Sequence, residues 1–328
     1  MNLIKDIHDY LTDDMRQLNE LILSYLDSQE DLIEVVSKHL IEGKSKRIRP
    51  ILTILSNKLF TNSPSDDAIK LAAAVEFIHT ATLLHDDVVD DSKMRRFKPT
   101  ANLLWGNKAS ILVGDFLFSQ SFKLMVATNS IAALRTLANA SAIIAEGEVA
   151  QLEKLNEKKM IAAGEYHRII SAKTAKLFGA ACEVGAIIAN QHAEVSDIMK
   201  DFGTNLGIIF QIADDCLDYF SEAGKIGKNP GDDFLEGKVT LPLILTYEKL
   251  KPSDKQKIDE MIQSAQRSQD DFKYVVDKMN ECEIKKDIEI YLSNLQTETI
   301  ALFQNKIPDN KSKEYLVNLV DFAMSRTY

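Results

Sequence analysis

An all-α fold is predicted, and two observations predict it. Glycine and proline number only 13 and 7 in 328 residues, too few to punctuate a turn-rich β architecture. Apolar residues recur every three or four positions over long stretches, as in Ile4, Ile7, Leu11, Met15, Leu18, Ile22 and Leu26. With 45% hydrophobic residues the chain can bury a sizeable core.

The elements follow in order. Residues 1–42 read as two amphipathic helices. Gly43 to Pro50 is a basic loop, and a short helix runs from it to about Asn57. Ser63-Pro64-Ser65-Asp66 breaks the pattern and offers caps to an Ala-rich helix over 68–90. Residues 92–107 read as a loop, and 109–128 and 134–155 as helices, with Gly164 marking a turn. Two further helices span 166–190 and 195–220. A loop rich in Gly, Lys and Asp covers 223–238, and a mixed-charge helical tail follows, with Pro252 and Pro308 opening new segments. No repeat, low-complexity linker or composition shift forces a boundary, so residues 1–328 are read as a single domain.

Net charge is −10, which argues against a nucleic-acid surface, because phosphate backbones need basic patches. Cys182, Cys216 and Cys282 have no metal-ligand spacing and read as free thiols of a reducing compartment. Asp6 and Asp9 interrupt the N-terminal apolar pattern, so no signal peptide is expected. No uncharged apolar run reaches the ~20 residues of a membrane span, and a cytoplasmic location is expected.

The chemistry is carried by a duplicated acidic pattern. Asp86-Asp87-Val88-Val89-Asp90 and Asp214-Asp215-Cys216-Leu217-Asp218 are both Asp-Asp-x-x-Asp, each after an apolar helical run. At about 100° per residue, the outer carboxylates of each pattern lie within about 40° of each other, and the second Asp about 60° from the last. All three are expected on one face. Crowding like charges costs free energy unless a cation sits between them. Two such faces make an oxygen-rich cage suited to Mg²⁺, which takes a few carboxylates and completes its shell with water and phosphate oxygens. Cys216 reads as a small core residue there, since thiolate suits softer metals.

Cations able to grip phosphate flank these motifs. Lys46, Arg47 and Arg49 precede Pro50, Arg95 and Arg96 follow Asp90, and Lys228 and Lys238 follow the second motif. There is no Gly-x-x-x-x-Gly-Lys-Ser/Thr loop and no nucleophile elbow. His79 lies seven residues before Asp86 on the same helical face, and Gln211 three before Asp214. His85 reads as packed or solvent-facing. Gly203 and Gly207 either let helices pack closely or leave room for a bulky ligand.

Together these residues resemble the trans-isoprenyl diphosphate synthases, the long-chain polyprenyl (octaprenyl-type) enzymes in particular. The stretches that carry the resemblance span nearly the whole chain: Ser45–Pro50, Leu84–Asp90, Met94–Arg96, Val113–Phe116, Gly147–Gln151, Ser171–Thr174, Phe210–Asp215 and Glu236–Pro242. The resemblance implies an all-helical bundle around a deep cavity, usually a homodimer, that condenses isopentenyl diphosphate with an allylic diphosphate for quinone side chains. It implies that Asp86 and Asp90 hold two Mg²⁺ ions and Asp214 a third, supported by Asp87, Asp215 and Asp218. Arg95, Lys173, Thr174, Gln211, Lys228 and Lys238 would hold the allylic diphosphate, and Lys46, Arg49, His79 and Arg96 isopentenyl diphosphate. Transient membrane contact during product release goes with such a product. A terpene cyclase or squalene-type synthase shares the fold but one acidic motif, and a non-catalytic partner subunit would be expected to have lost carboxylates; none is missing here. A short-chain farnesyl or geranylgeranyl synthase is the remaining alternative. Against it, Ala81 and Thr82, about one turn before Asp86, are small where short-chain relatives commonly place an aromatic ring. An open tunnel is expected at that level, with Phe116, Phe118, Phe122 or Met125 as candidate floor.

Overall fold

The apolar stripe of the first residues becomes the inner face of two helices joined almost end to end. α1 (Leu3–Tyr10) and α2 (Thr12–Leu26) bury Ile7, Met15, Leu18, Ile22 and Leu26, Leu11 is buried at the joint between them, and backbone bonds from Leu11 N–H to Ile7 O and from Met15 N–H to Leu11 O bridge it. The computed structural model describes residues 3–41, 46–95, 98–220, 230–304 and 306–325. It divides into two compact units. The first comprises residues 1–141, 177–203 and 302–319, the second residues 142–176, 204–301 and 320–328.

α3 (Asp31–Ile41) is followed by α4 (Ile48–Lys58), which starts earlier than expected. Arg47 takes a left-handed conformation (φ 48°) just before it, so Arg49 and Pro50 lie in its first turn, where a missing proline N–H costs nothing. Pro50 to Asn57 are all buried. α5 (Asp66–Val89) is capped by the Ser65 hydroxyl, which accepts from Ala68 N–H at 3.2 Å. Its Ala-rich surface is apolar nearly all round, so it is a central helix packed against α4 and α7 (Asn107–Val126).

The expected 92–107 loop contains more order than its composition suggested. β1 (Met94–Arg95) and β2 (Lys98–Pro99) form an antiparallel ladder pairing Met94 with Pro99 and Arg95 with Lys98, and α6 (Ala101–Trp105) follows. α7 is long and apolar enough by length and composition to cross a membrane, but it carries Lys108, Asp115 and Lys123, and 50% of its most apolar window is buried. It is a core helix of the first unit.

α8 (Ile131–Glu157) precedes the segment expected as one helix over 166–190. That segment is α9 (Ala163–Ile170), a π-helical turn over Ser171–Ala175, and α10 (Lys176–Ile188). Gly164 sits inside the first turn of α9 rather than at a break. α11 (Ala193–Phe220) carries the second acidic motif, and α12 (Asp232–Glu236) lies between two left-handed glycines, Gly231 (φ 88°) and Gly237 (φ 94°). The tail is helical as expected: α13 (Leu241–Lys249), α14 (Pro252–Gln263) opening on Pro252, α15 (Gln269–Glu281) with a Ser268–Asp271 capping box, α16 (Ile284–Ala301) and α17 (Lys311–Met324).

Within the first unit α10 lies tight against α4. A Cβ on Gly185 would stand 2.6 Å from both Ser56 Cβ and Thr53 O, and Asn57 Nδ2 donates to Gly185 O at 3.1 Å. Gly185→Ala is therefore expected to destabilise the protein by about 1–2 kcal/mol, overpacking outweighing the better helix propensity of Ala. Chemical denaturation would read this as a lower midpoint. Gly203 is explained the same way: a Cβ there would meet Phe178 O at 2.5 Å, so that position serves close helix packing.

Candidate active site

The first acidic motif ends α5 in the first unit. Asp86 and Asp90, one turn apart, are both partly exposed. Asp87 departs from their face. It is fully buried and accepts from Arg95 Nε at 3.0 Å and from Arg95 Nη2 at 2.8 Å. The guanidinium neutralises a carboxylate that could not otherwise be buried. Asn102 Nδ2 donates to Asp87 O at 3.0 Å, and Ser92 N–H to the same oxygen at 3.0 Å, so the chain after the motif folds back on it. Arg95, expected on a diphosphate, thus also ties the β1–β2 ladder to α5.

Two turns earlier on α5, His79 Nε2 lies 3.1 Å from Arg49 Nη1. The Arg49 guanidinium also stacks on the Phe178 ring at 4.5 Å. Lys46 is exposed, and beside it Arg47 reaches the buried carboxylate of Glu76 at 3.7 Å. His85 is partly exposed: its Nε2 lies 3.2 Å from Ile111 O, and a Cβ at Gly114 would stand 2.2 Å from that nitrogen in the present rotamer. Ala81 is sealed in the core, whereas Thr82 is partly exposed, with its hydroxyl donating to His79 O at 2.8 Å. Phe122 is exposed and Met125 buried, while Phe116 and Phe118 are half-buried.

The second motif lies on α11 in the second unit. Asp214 is partly exposed and Asp215 and Asp218 are buried. Asp215 Oδ2 accepts from the Tyr166 hydroxyl at 2.6 Å, and Oδ1 from Gln211 Nε2 at 2.8 Å. Gln211 Oε1 in turn accepts from the Thr174 hydroxyl at 2.7 Å. Burial, and then the nearby Asp233 charge, push the Asp215 carboxyl up to about 7, against the pull of these two donors. A cation beside the motif would act in the opposite sense. Asp218 Oδ2 accepts from Asp233 N–H at 3.2 Å, which anchors the start of α12. Lys238, just beyond α12, contacts Glu236 at 2.8 Å and Asp233 at 3.9 Å.

Lys173 sits on the π-turn and donates to Glu148 Oε2 at 2.7 Å and to Gln151 Oε1 at 2.9 Å. The turn presses on α8 at Gly147, where a Cβ would come within 2.8 Å of Ala172 Cβ and 2.9 Å of Lys173 N. π-turns that interrupt helices are frequent at functional sites, and this one presents Lys173 and Thr174 in succession. Arg96 and Lys228 lie outside the described residues.

Among the described residues no three His, Cys, Asp or Glu side chains converge closely enough to hold a metal by themselves. The donors of each motif, taken within its own unit, are nonetheless of the kind Mg²⁺ takes. Asp86, Asp90 and Asp214 are hard oxygen donors with accessible surface, and this ion keeps several positions for water and phosphate oxygens. Sequence reasoning missed Tyr166, Glu148, Gln151, Glu76 and Asn102. Each owes its place to a tertiary contact. Only Glu148 and Gln151 fell in a stretch the sequence had singled out.

Residues 30–279 match the family model described as polyprenyl synthetase. The octaprenyl diphosphate synthase of Escherichia coli K12 is 38% identical over 326 residues, covering 99% of each chain. Among solved structures, a polyprenyl synthase from Caulobacter crescentus CB15, complexed with calcium and isoprenyl diphosphate, superposes with a TM-score of 0.92 at 41% identity, covering 99% of this chain and 98% of that one. A decaprenyl diphosphate synthase from Rhodobacter capsulatus gives 0.90 at 39% identity, covering 99% of each.

Proposed function

The chain belongs to the polyprenyl synthetase family, and on that premise we propose that it condenses isopentenyl diphosphate with an allylic diphosphate, farnesyl diphosphate first, into a long all-trans polyprenyl diphosphate. Octaprenyl is the proposed length and quinone side chains the proposed use. One observation carries the reading: each acidic motif shares its unit with its own set of basic side chains. Lys46, Arg49 and His79 accompany Asp86 and Asp90, while Lys173 and Lys238 accompany Asp214.

In this reading residues 1–328 act as one catalytic domain, and Asp86, Asp90 and Asp214 hold three Mg²⁺ ions in the substrate complex. When bound, the metal supplies Lewis-acid stabilisation of the diphosphate leaving group. Arg95, Lys173, Thr174, Gln211, Lys228 and Lys238 bind and orient the allylic diphosphate. For Lys173 this means exchanging Glu148 for a phosphate oxygen. Lys46, Arg49, His79 and Arg96 hold isopentenyl diphosphate. Breaking the allylic carbon–oxygen bond leaves an allylic cation and inorganic diphosphate. The double bond of isopentenyl diphosphate then forms the new carbon–carbon bond, and the departing diphosphate takes the proton lost. Apolar side chains must exclude water while the cation lasts.

A cytoplasmic homodimer completes the proposal. On α6, α7 and α8, Leu103, Leu112, Val126 and Ile131 are exposed by 54%, 67%, 60% and 66%, apolar side chains that a partner subunit would cover. Turnover of farnesyl and labelled isopentenyl diphosphate tests the reaction, with Mg²⁺ and then with chelator. Lys46→Ala should raise mainly KM for isopentenyl diphosphate and Lys228→Ala mainly KM for the allylic substrate. Equal effects of each variant on both constants would overturn the two-site assignment.

A further inference from the structure

Tyr166 has no role in the reading above, yet it is nearly fully buried and ends a chain of hydrogen bonds that runs through Asp215 and Gln211 to Thr174. The directions along that chain are fixed by chemistry. With Asp215 ionised, as a cation beside the motif favours, the phenol can only donate, so the Tyr166 proton points at Asp215 Oδ2. Asp215 Oδ1 takes an N–H of Gln211. The Gln211 carbonyl is thereby turned toward Thr174, whose hydroxyl donates to it. An amide flip would set Gln211 oxygen against the Asp215 carboxylate and its NH₂ against the Thr174 proton, so the carboxylate locks the amide and the amide locks the hydroxyl.

We infer that Tyr166 is a positioning residue for diphosphate binding: by holding Asp215 it sets Gln211 and Thr174, and so fixes the π-turn with Lys173 relative to the second acidic motif. This rests on the function proposed above and adds to it a residue that need not touch substrate. Asp215 is buried, with one donor on each carboxylate oxygen. Removing the phenol hydroxyl leaves a buried charge half-satisfied and frees the carboxylate to rotate, which loosens every later member of the chain. The Tyr166 ring itself stays in place, packed at 5.5 Å on His167, so the hydroxyl can be deleted without opening a cavity.

Tyr166→Phe in the full-length protein tests this. Calorimetric titration with inorganic diphosphate at saturating Mg²⁺ should show binding weakened about tenfold, the size of one lost hydrogen bond to a buried charged group. KM for the allylic diphosphate should rise by a similar factor while KM for isopentenyl diphosphate stays constant. Wild-type affinity for diphosphate, or a parallel rise in both Michaelis constants, would overturn the inference. Asp214→Ala separates the levels. If it loses diphosphate binding while Tyr166→Phe binds normally, the positioning role alone is wrong. If Asp214→Ala also binds and turns over normally, the reading of the second motif fails with it.

Discussion

Asp86→Ala and Asp214→Ala are each expected to lower turnover by roughly 10²–10³ or more, the scale seen when a preorganised charge at a leaving group is removed. Both side chains are partly exposed, so neither change opens a core cavity and the helices should persist. Circular dichroism beside steady-state kinetics checks this. If both carboxylates serve one leaving group, as proposed, the two losses should not add in the double variant. Normal turnover by either folded variant would remove the metal-site reading of its motif. Asp87→Ala is a different experiment: it strips Arg95 of a fully buried partner, so any loss of activity mixes folding with chemistry.

Thr82→Phe is expected to change the product rather than the rate of the first condensation. Thr82 stands one turn before Asp86 and keeps accessible surface, whereas Ala81 is sealed in the core. A ring at 82 would stand across the proposed path of the growing tail, so chains should stop near farnesyl or geranylgeranyl length with elongation chemistry retained. Product chromatography after dephosphorylation reads this directly. An unchanged distribution from an active variant would show that the tail takes another path. The same substitution at Ala81 would report mostly on core overpacking.

Much of this was legible before any coordinates. The helix carrying the first motif begins two residues before its expected start at Ala68, because Ser65 supplies a cap that local chemistry dictates. Pro252 opens α14 for the same kind of reason. The acidic motifs were legible because period and charge are local properties. What sequence could not reach were contacts between distant segments. The expected common face of three carboxylates failed at Asp87, since burial there depends on a guanidinium eight residues later folding back. The π-turn at Ser171–Ala175 has no compositional signature, as it arises where Lys173 and Thr174 must meet partners on α8 and α11. Tyr166 was invisible for the same reason: its partner lies 49 residues away.

Relatives of nearly equal identity make products of different length by name, octaprenyl in one case and decaprenyl in the other, so likeness does not set the length of this product. The most direct measurement is therefore to incubate the wild-type protein with farnesyl diphosphate, excess isopentenyl diphosphate and Mg²⁺, and to size the polyprenyl alcohols by mass spectrometry. The expected product set is centred on octaprenyl, well beyond geranylgeranyl, and vanishes when the metal is chelated. A product ending at geranylgeranyl, or undiminished elongation in chelator, would contradict it.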